Sequence, residues 1–285
     1  MSYYNRLIIR KKLKKFIEED CNFADVSSMS IPDDSEIIAK IIAKSTGYIS
    51  GLEELKMIFE MLGTSIDLKK NDGDAFQKGD IIATLKGNAK GILLGERVAL
   101  NLMTHMSAIT STTRKFVELI RNSGKKVKIA CTRKTTPGLR IFEKKAVELG
   151  QGDSHRFSLD DLVLLKDTHL RFYKGDIVKL LADIKKKVSF SKKIEIEVEN
   201  VDDVLIAAEN GADVIMLDNF NPDGVEDSIN LLKKHNLRDK VLIEVSGGVN
   251  LENIVDYIIS EPDVVSSGQL AQFPSEQVDF SLRFE

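Results

Sequence analysis

Apolar residues recur along this chain with two different rhythms, and the change from one to the other divides it. Ile8, Ile9, Leu13, Phe16 and Ile17 fall at helical spacing, so the first element reads as a helix. A turn-rich connector follows over 20–34. Residues 36–44 (EIIAKIIAK) and 47–50 read as strands, with a break at Ser45-Thr46-Gly47. Residues 52–62 form an amphipathic helical pattern closed by Gly63. Residues 66–70 and 81–85 read as strands around the turn signal Asn71-Asp72-Gly73-Asp74. Together these predict a small layer of helices on a mostly antiparallel sheet. A long helical pattern then covers 91–123, through Leu94, Val98, Leu102, Met106, Ile109, Phe116 and Ile120. Its middle, Ser107-Ala-Ile-Thr-Ser-Thr-Thr113, is expected to bend or break it.

Beyond residue 123 the rhythm changes. Short β-rich runs at 127–131, 162–165, 194–198, 214–217, 241–245 and 264–265 alternate with helical runs at 140–149, 175–187, 201–210, 224–235 and 251–259. Repeated β–α units imply parallel strands with right-handed crossovers. Their number, and the lack of a GxGxxG, favour a barrel over a doubly wound sheet. The end of the chain, VDFSLRF over 278–284, alternates like a strand and is expected to return to the sheet of the first domain.

Composition narrows the class. A chain of 285 residues suits one large domain or two unequal ones, and 42% apolar residues supply a sizeable core. The net charge of −3 argues against a general nucleic-acid binder, which carries a basic excess. Cys21 and Cys131 lie far apart with no CxxC, which fits a reducing, cytoplasmic setting. The basic N-terminal segment lacks the continuous apolar stretch of a signal peptide, and no run approaches the roughly 20 apolar residues of a membrane span. An amphipathic helix packed on its own domain is favoured over one lying on a membrane.

In a barrel, the residues just past each strand define one face, and that face holds the chemistry. Reading them off gives Thr132, Arg133 and Lys134; then Lys166, Asp167 and His169; then Asp218-Asn219; then Ser246-Gly247-Gly248; and Ser267-Gly268. Glu195, Glu197 and Glu199 alternate on one strand, so they share a side, and three carboxylates there need cations to answer them. His155 and Arg156 follow the flexible Gly150-Gln151-Gly152. The mouth therefore sorts into cations (Arg133, Lys134, Arg156, Lys166), carboxylates (Glu197, Asp218) and two glycine turns of the kind that seat a phosphate. A ligand with several negative charges, handled with a divalent metal or through sugar hydroxyls, fits that set. Mg²⁺ suits oxygen ligands beside phosphates. His155 is read as a ligand contact, and His169 stays open between ligand and structural roles. His105 is read as structural and Cys131 as core. No zinc site, Ser-His-Asp set or cysteine nucleophile is indicated.

These residues resemble those of the quinolinate phosphoribosyltransferase family, and the likeness runs end to end. It includes Glu96-Arg97-Val-Ala-Leu-Asn101, Thr132-Arg-Lys-Thr-Thr-Pro-Gly138, His155-Arg156, Lys166-Asp-Thr-His169, Glu195-Ile-Glu197-Val, Leu217-Asp-Asn-Phe220 and Ser246-Gly-Gly248. The resemblance implies an N-terminal α/β sandwich over 1–107, joined by a returning strand at 276–285. It also implies an incomplete, TIM-like parallel α/β barrel over 108–275. The implied activity joins quinolinate to 5-phosphoribosyl-1-pyrophosphate with Mg²⁺, giving nicotinate mononucleotide, pyrophosphate and CO₂. The implied assembly is a homodimer, or a higher oligomer built on it, with Arg97 reaching into the partner's site. Arg133, His155, Arg156 and Lys166 would hold the two carboxylates, and Lys134 the pyrophosphate. Glu197 and Asp218 would serve the ribose hydroxyls and the metal, while Ser246, Gly247, Gly248 and Gly268 seat the 5′-phosphate. By the same likeness, Lys134, Glu197 and Asp218 are the catalytic set.

Some positions depart from the family pattern. Asp153 precedes Ser154-His155 where a glycine is usual, adding a negative charge near the acid-binding site. Thr104-His105 and Ser107-Ala108 replace Gln-Arg and Ser-Gly, and the tail after Gly268 reads Gln-Leu-Ala-Gln-Phe. A related protein found with molybdate-transport genes is a rival reading, and Lys166 argues for quinolinate against it. A non-catalytic phosphate-sugar sensor is the other rival. Glu197 and Asp218, which simple anion binding does not need, argue against that one.

Overall fold

The computed structural model describes residues 4–285; residues 1–3, the start of the basic N-terminal segment, lie outside the described residues. The chain divides into two compact units. The first comprises 1–114, 137–150 and 274–285, and the second 115–136 and 151–273.

In chain order the first unit opens with α1 (Arg6–Asp20), β1 (Glu36–Ala43), β2 (Gly47–Tyr48) and α2 (Leu52–Met61). It continues with β3 (Ser65–Leu68), β4 (Ala75–Phe76), β5 (Ile81–Asn88) and the start of α3 (Ala89–Asn122). Then come β6 (Lys128–Cys131), α4 (Arg140–Leu149), β7 (Val163–Leu165), α5 (Asp167–Phe172), α6 (Ile177–Lys185), β8 (Ile194–Val198) and α7 (Val201–Glu209). The chain ends with β9 (Val214–Asp218), α8 (Pro222–Lys234), β10 (Leu242–Ser246), α9 (Ile254–Ile258), β11 (Val264–Ser267) and β12 (Phe280–Phe284).

The main sheet of the first unit is antiparallel, in the order β12-β1-β5-β3. The C-terminal strand does return: Ala43 pairs with Phe280 and Ala39 with Phe284. Alternation in β1 buries Ala39, Ile41 and Ala43, and β5 adds Ile82, Ala83 and Leu85 to the same core. From α2 come Leu55, Ile58 and Phe59, all buried.

Contrary to the sequence expectation, α3 runs unbroken through its Ser/Thr stretch. Those hydroxyls find partners that leave the helical ladder intact. Ser107 Oγ accepts from Ser50 N (3.0 Å), Thr113 Oγ1 donates back to Ile109 O (2.8 Å), and Thr110 Oγ1 lies 2.8 Å from both Ala146 O and Ser50 Oγ. Buried hydroxyls with partners do not compete with the backbone.

Helix α4 follows β6 in sequence but belongs with the first unit rather than with the barrel segment 108–275. The cause is a buried ionic cluster. Lys145 Nζ lies 2.8 and 3.1 Å from the two oxygens of Glu54 and 2.9 Å from Glu53 Oε2. Burial pushes Glu54 up despite Lys145. Burial alone would lower Lys145, but the charge of Glu54 and the hydrogen bonds that the ammonium donates to Glu53 and Glu54 outweigh it and push the ammonium up. The two shifts oppose each other; the three short contacts to one Nζ favour an ammonium between carboxylates. Phe142 packs against Phe16 with its ring tilted and centroids 5.8 Å apart, and His105 Nε2 meets Glu143 Oε1 at 2.9 Å. Where α4 ends, Gly150 presses on α3: an added Cβ would sit 2.6 Å from Thr113 Cβ, so only glycine fits.

The second unit holds a parallel sheet in the order β6-β11-β10-β9-β8-β7, an open six-stranded barrel segment as expected. Its strands are buried on both faces, as in β9, where Val214, Ile215, Met216 and Leu217 are all core. Because all pairs are parallel, every strand ends on one side. The register sets Asp218 beside Ser246, and Ser246 beside Ser266. No helix among the described residues is long and apolar enough to cross a membrane.

Candidate active site

A cavity of ≈ 600 Å³ opens at the strand ends of the second unit. Arg133, Lys134, His155, Arg156, Lys166, Glu197, Asp218, Ser246, Gly247 and Gly248 all line it. Residues that sequence reasoning drew from stretches more than 100 positions apart thus meet in one place. Arg133 and Lys134 leave the end of β6, where Lys134 N donates to Thr132 Oγ1 (3.0 Å). Lys166 stands at the start of α5, a short helix that the sequence reading missed. There His169 Nδ1 accepts from Lys166 N (3.0 Å), so His169 acts as a structural cap and is not in the lining.

Two expected residues do not line the cavity. Gly268 lies behind Lys134, whose Cδ would be 3.5 Å from a Cβ placed there. Arg97 lies in the first unit on α3, with its side chain 69% exposed and 3.2 Å from Glu96 Oε1.

The three alternating carboxylates, Glu195 and Glu197 on β8 and Glu199 just past its end, meet three different surroundings. Lys166 Nζ donates to Glu197 Oε1 at 2.9 Å. Glu199 faces the cavity at its rim. Glu195 is fully buried, and neither of its oxygens has a hydrogen-bond partner among the described residues. Burial pushes its carboxyl well above the usual carboxylate range, and the charge of Glu244 adds to the rise. Glu244, on β10, was not singled out from the sequence. It is buried, lines the cavity and lies 2.9 Å from His155 Nε2.

His155 has both ring nitrogens engaged. Arg156 N donates to its Nδ1 (2.6 Å), which leaves the Nε2 proton for Glu244 Oε2. Its backbone sits at φ +50, and its N–H is taken by Asp153 Oδ1 at 2.7 Å. Asp153 therefore does not charge the acid-binding face. Its carboxylate holds the turn and lies 3.9 Å from Lys128, while its backbone bonds to Ile129 and Cys131 along the edge of β6.

Arg156 is only 9% exposed, and its Nη1 donates to Leu162 O (3.3 Å). Burial, with Arg133 alongside, lowers its pKa, though a guanidinium so far above neutrality stays charged. Arg133 Nε and Ser266 Oγ are also buried with no hydrogen-bond partner among the described residues. Crowded guanidinium groups with an unanswered donor form a receptor for an anionic ligand with more than one acid group. Ser266 carried no sequence signal beyond its place one residue before Ser267-Gly268.

Comparison with known proteins places this geometry. Residues 109–283 match the family model described as quinolinate phosphoribosyl transferase, C-terminal domain, and residues 25–107 match its N-terminal domain. The chain is 42% identical over 261 residues to a probable nicotinate-nucleotide pyrophosphorylase [carboxylating] of Archaeoglobus fulgidus, covering 92% of this chain and 98% of that one. It is 39% identical over 271 residues to the similarly named protein of Methanothermobacter thermautotrophicus, covering 95% and 96%. Among solved structures, NadC from Streptococcus pyogenes superposes with a TM-score of 0.91 at 32% identity over 100% of both chains.

Proposed function

The chain belongs to the quinolinate phosphoribosyl transferase family, and from that premise we propose that it transfers phosphoribose from 5-phosphoribosyl-1-pyrophosphate to quinolinate with loss of CO₂. The products are nicotinate mononucleotide and pyrophosphate, and the reaction is a pentosyl transfer in NAD biosynthesis. One observation carries the reading: Arg133, Lys134, Arg156 and Lys166 face a single cavity with Glu197, Asp218 and the Ser246-Gly247-Gly248 turn.

Roles follow from charge and reach. Arg133, Arg156 and Lys166 take the two ring carboxylates; His155 serves them by holding the Arg156 backbone. Lys134 meets the pyrophosphate. Ser246, Gly247 and Gly248 seat the 5′-phosphate. Breaking the bond from ribose C1 to pyrophosphate leaves positive charge on that carbon, which Glu197 and Asp218 stabilise. The ring nitrogen then bonds to C1. As the adjacent carboxylate departs as CO₂, the nitrogen cation so formed stabilises the electron pair left on that ring carbon, and a proton from solvent takes the pair to form the C–H bond of the pyridinium product. No side-chain nucleophile is needed.

Magnesium is the metal of this reading. Glu197 and Asp218 offer only oxygen donors, which suits Mg²⁺ beside phosphates. Lys166 occupies one oxygen of Glu197 and Asn219 one of Asp218, leaving the second of each for a cation or ribose hydroxyl. When bound, Mg²⁺ would neutralise charge gathering on the departing pyrophosphate. The working form is a cytoplasmic homodimer, or a higher oligomer of it, in which Arg97 of one copy completes the other's cavity.

Purified protein given quinolinate, phosphoribosyl pyrophosphate and Mg²⁺ is expected to release CO₂ and pyrophosphate in equal amounts. Binding of both substrates without turnover would instead support a sensor. Mixing Arg97→Ala with Lys166→Ala chains tests the shared site. Each variant alone is expected to be inactive, and free exchange in a dimer restores about a quarter of full activity, since half the dimers carry one intact site. No recovery after demonstrated exchange would remove Arg97 from the partner's cavity.

A further inference from the structure

Asn219 enters the roles above only as a donor to one oxygen of Asp218, yet it stands where two of them meet. It follows β9 with φ +58, a left-handed conformation that asparagine tolerates better than most side chains. Its N–H donates to Ser246 O (2.8 Å), across to the end of β10. Its Nδ2 donates to Asp218 Oδ2 at 3.0 Å. Its side chain also fills the space beside Gly247. A Cβ there would lie 2.7 Å from Asn219 Cγ and 2.8 Å from its backbone nitrogen. One residue therefore touches both the carboxylate at the end of β9 and the glycine turn at the end of β10.

Strand register alone does not orient that carboxylate. Pairing of Ser246 with Asp218 sets the backbones side by side. The Asp218 carboxylate still turns about a broad torsion unless something holds it. A ribosyl phosphate spans the same two parts, with hydroxyls at one end and phosphate at the other. If φ +58 were the only requirement, glycine would meet it with less strain. What asparagine adds is an amide donor aimed at Asp218; aspartate would put a second negative charge there.

We propose that Asn219 is the positioning residue for the sugar phosphate. It locks the Asp218 carboxylate at a set distance from the Ser246–Gly248 turn, so that ribose hydroxyls and 5′-phosphate are gripped as one unit. This rests on the phosphoribosyl-transfer reading. Asn219 touches no reacting atom and acts through Asp218.

The test is a double-mutant cycle on the full-length protein, read as phosphoribosyl pyrophosphate binding by calorimetry. Asn219→Gly keeps the turn accessible and removes the amide. It is expected to weaken binding about tenfold, as for loss of one charge-assisted hydrogen bond. In an Asp218→Ala background the same change is expected to matter less than about twofold, because the group it orients is gone. Affinity for inorganic phosphate, measured by competition, should stay within about twofold in Asn219→Gly, since the turn itself persists. Equal losses in both backgrounds, no loss in the unsubstituted background, or a matching loss of phosphate affinity would each overturn the proposal in favour of a plain turn residue. If the unsubstituted protein binds no phosphoribosyl pyrophosphate at all, the functional reading falls and takes this inference with it. Intact binding that ignores Asn219 sinks the inference alone.

Discussion

Replacing Arg133 by alanine is expected to lower kcat/KM for quinolinate by about a hundredfold or more, while the affinity for phosphoribosyl pyrophosphate should change less than about threefold. The size follows from what the side chain does in the cavity. Its Nε is buried and has no acceptor among the described residues, and Arg156, itself nearly buried, lies close by. Two guanidinium groups held together repel each other until a dianion arrives. Removing one leaves a ring carboxylate desolvated and unpaired, which costs about 2–5 kcal/mol. Arg133→Lys should recover little, because a point charge cannot grip a carboxylate with two parallel hydrogen bonds. Steady-state kinetics in quinolinate, with separate calorimetry of the sugar phosphate, checks the split. Equal losses for both substrates would move Arg133 to the pyrophosphate end of the cavity.

Lys145→Met is expected to be the most destabilising single change outside the cavity, at about 3–5 kcal/mol. The methionine fills the volume but strands Glu54, fully buried, with Glu53 and Asp72 nearby. Burial already pushes both Glu54 and Asp72 up, so without the ammonium neither carboxylate is readily kept charged. The unfolding midpoint should fall by about 10 °C, and adding Glu54→Gln should return part of it by removing the stranded charge. Thermal unfolding of both variants decides the matter. A shift of only a degree or two would mean that water or a neighbouring group already satisfies Glu54.

Much of the architecture was legible because the period of apolar residues reports directly on which face is buried. Helix α1, strands β1 and β5 and the β–α alternation after residue 123 were readable, with bounds within about three residues where they were given. The cations and glycine turns were legible for a related reason. Parallel strands all end on one side, so the residues just after each apolar run share a face wherever the strands lie. This brought Arg133, Lys166, Asp218 and Ser246 into one group, while Arg156 was marked by the flexible Gly150-Gln151-Gly152 before it.

What the amino-acid order could not decide depended on partners remote in the chain. The hydroxyls of α3 left its continuity open until Ser50 and Ala146, 57 and 36 positions away, were seen to satisfy them. That α4 joins the first unit depends on Lys145 meeting Glu53 and Glu54 more than 90 positions earlier. His155 read as a free ligand contact until Glu244, 89 positions on, was found on its Nε2. The raised pKa of Glu195 likewise follows from its complete burial beside Glu244. Local pattern determines which residues are strand, helix or turn, because sterics and solvent act on neighbours. Hydrogen-bond partners and protonation states belong to the tertiary structure, because they depend on distances that only packing sets.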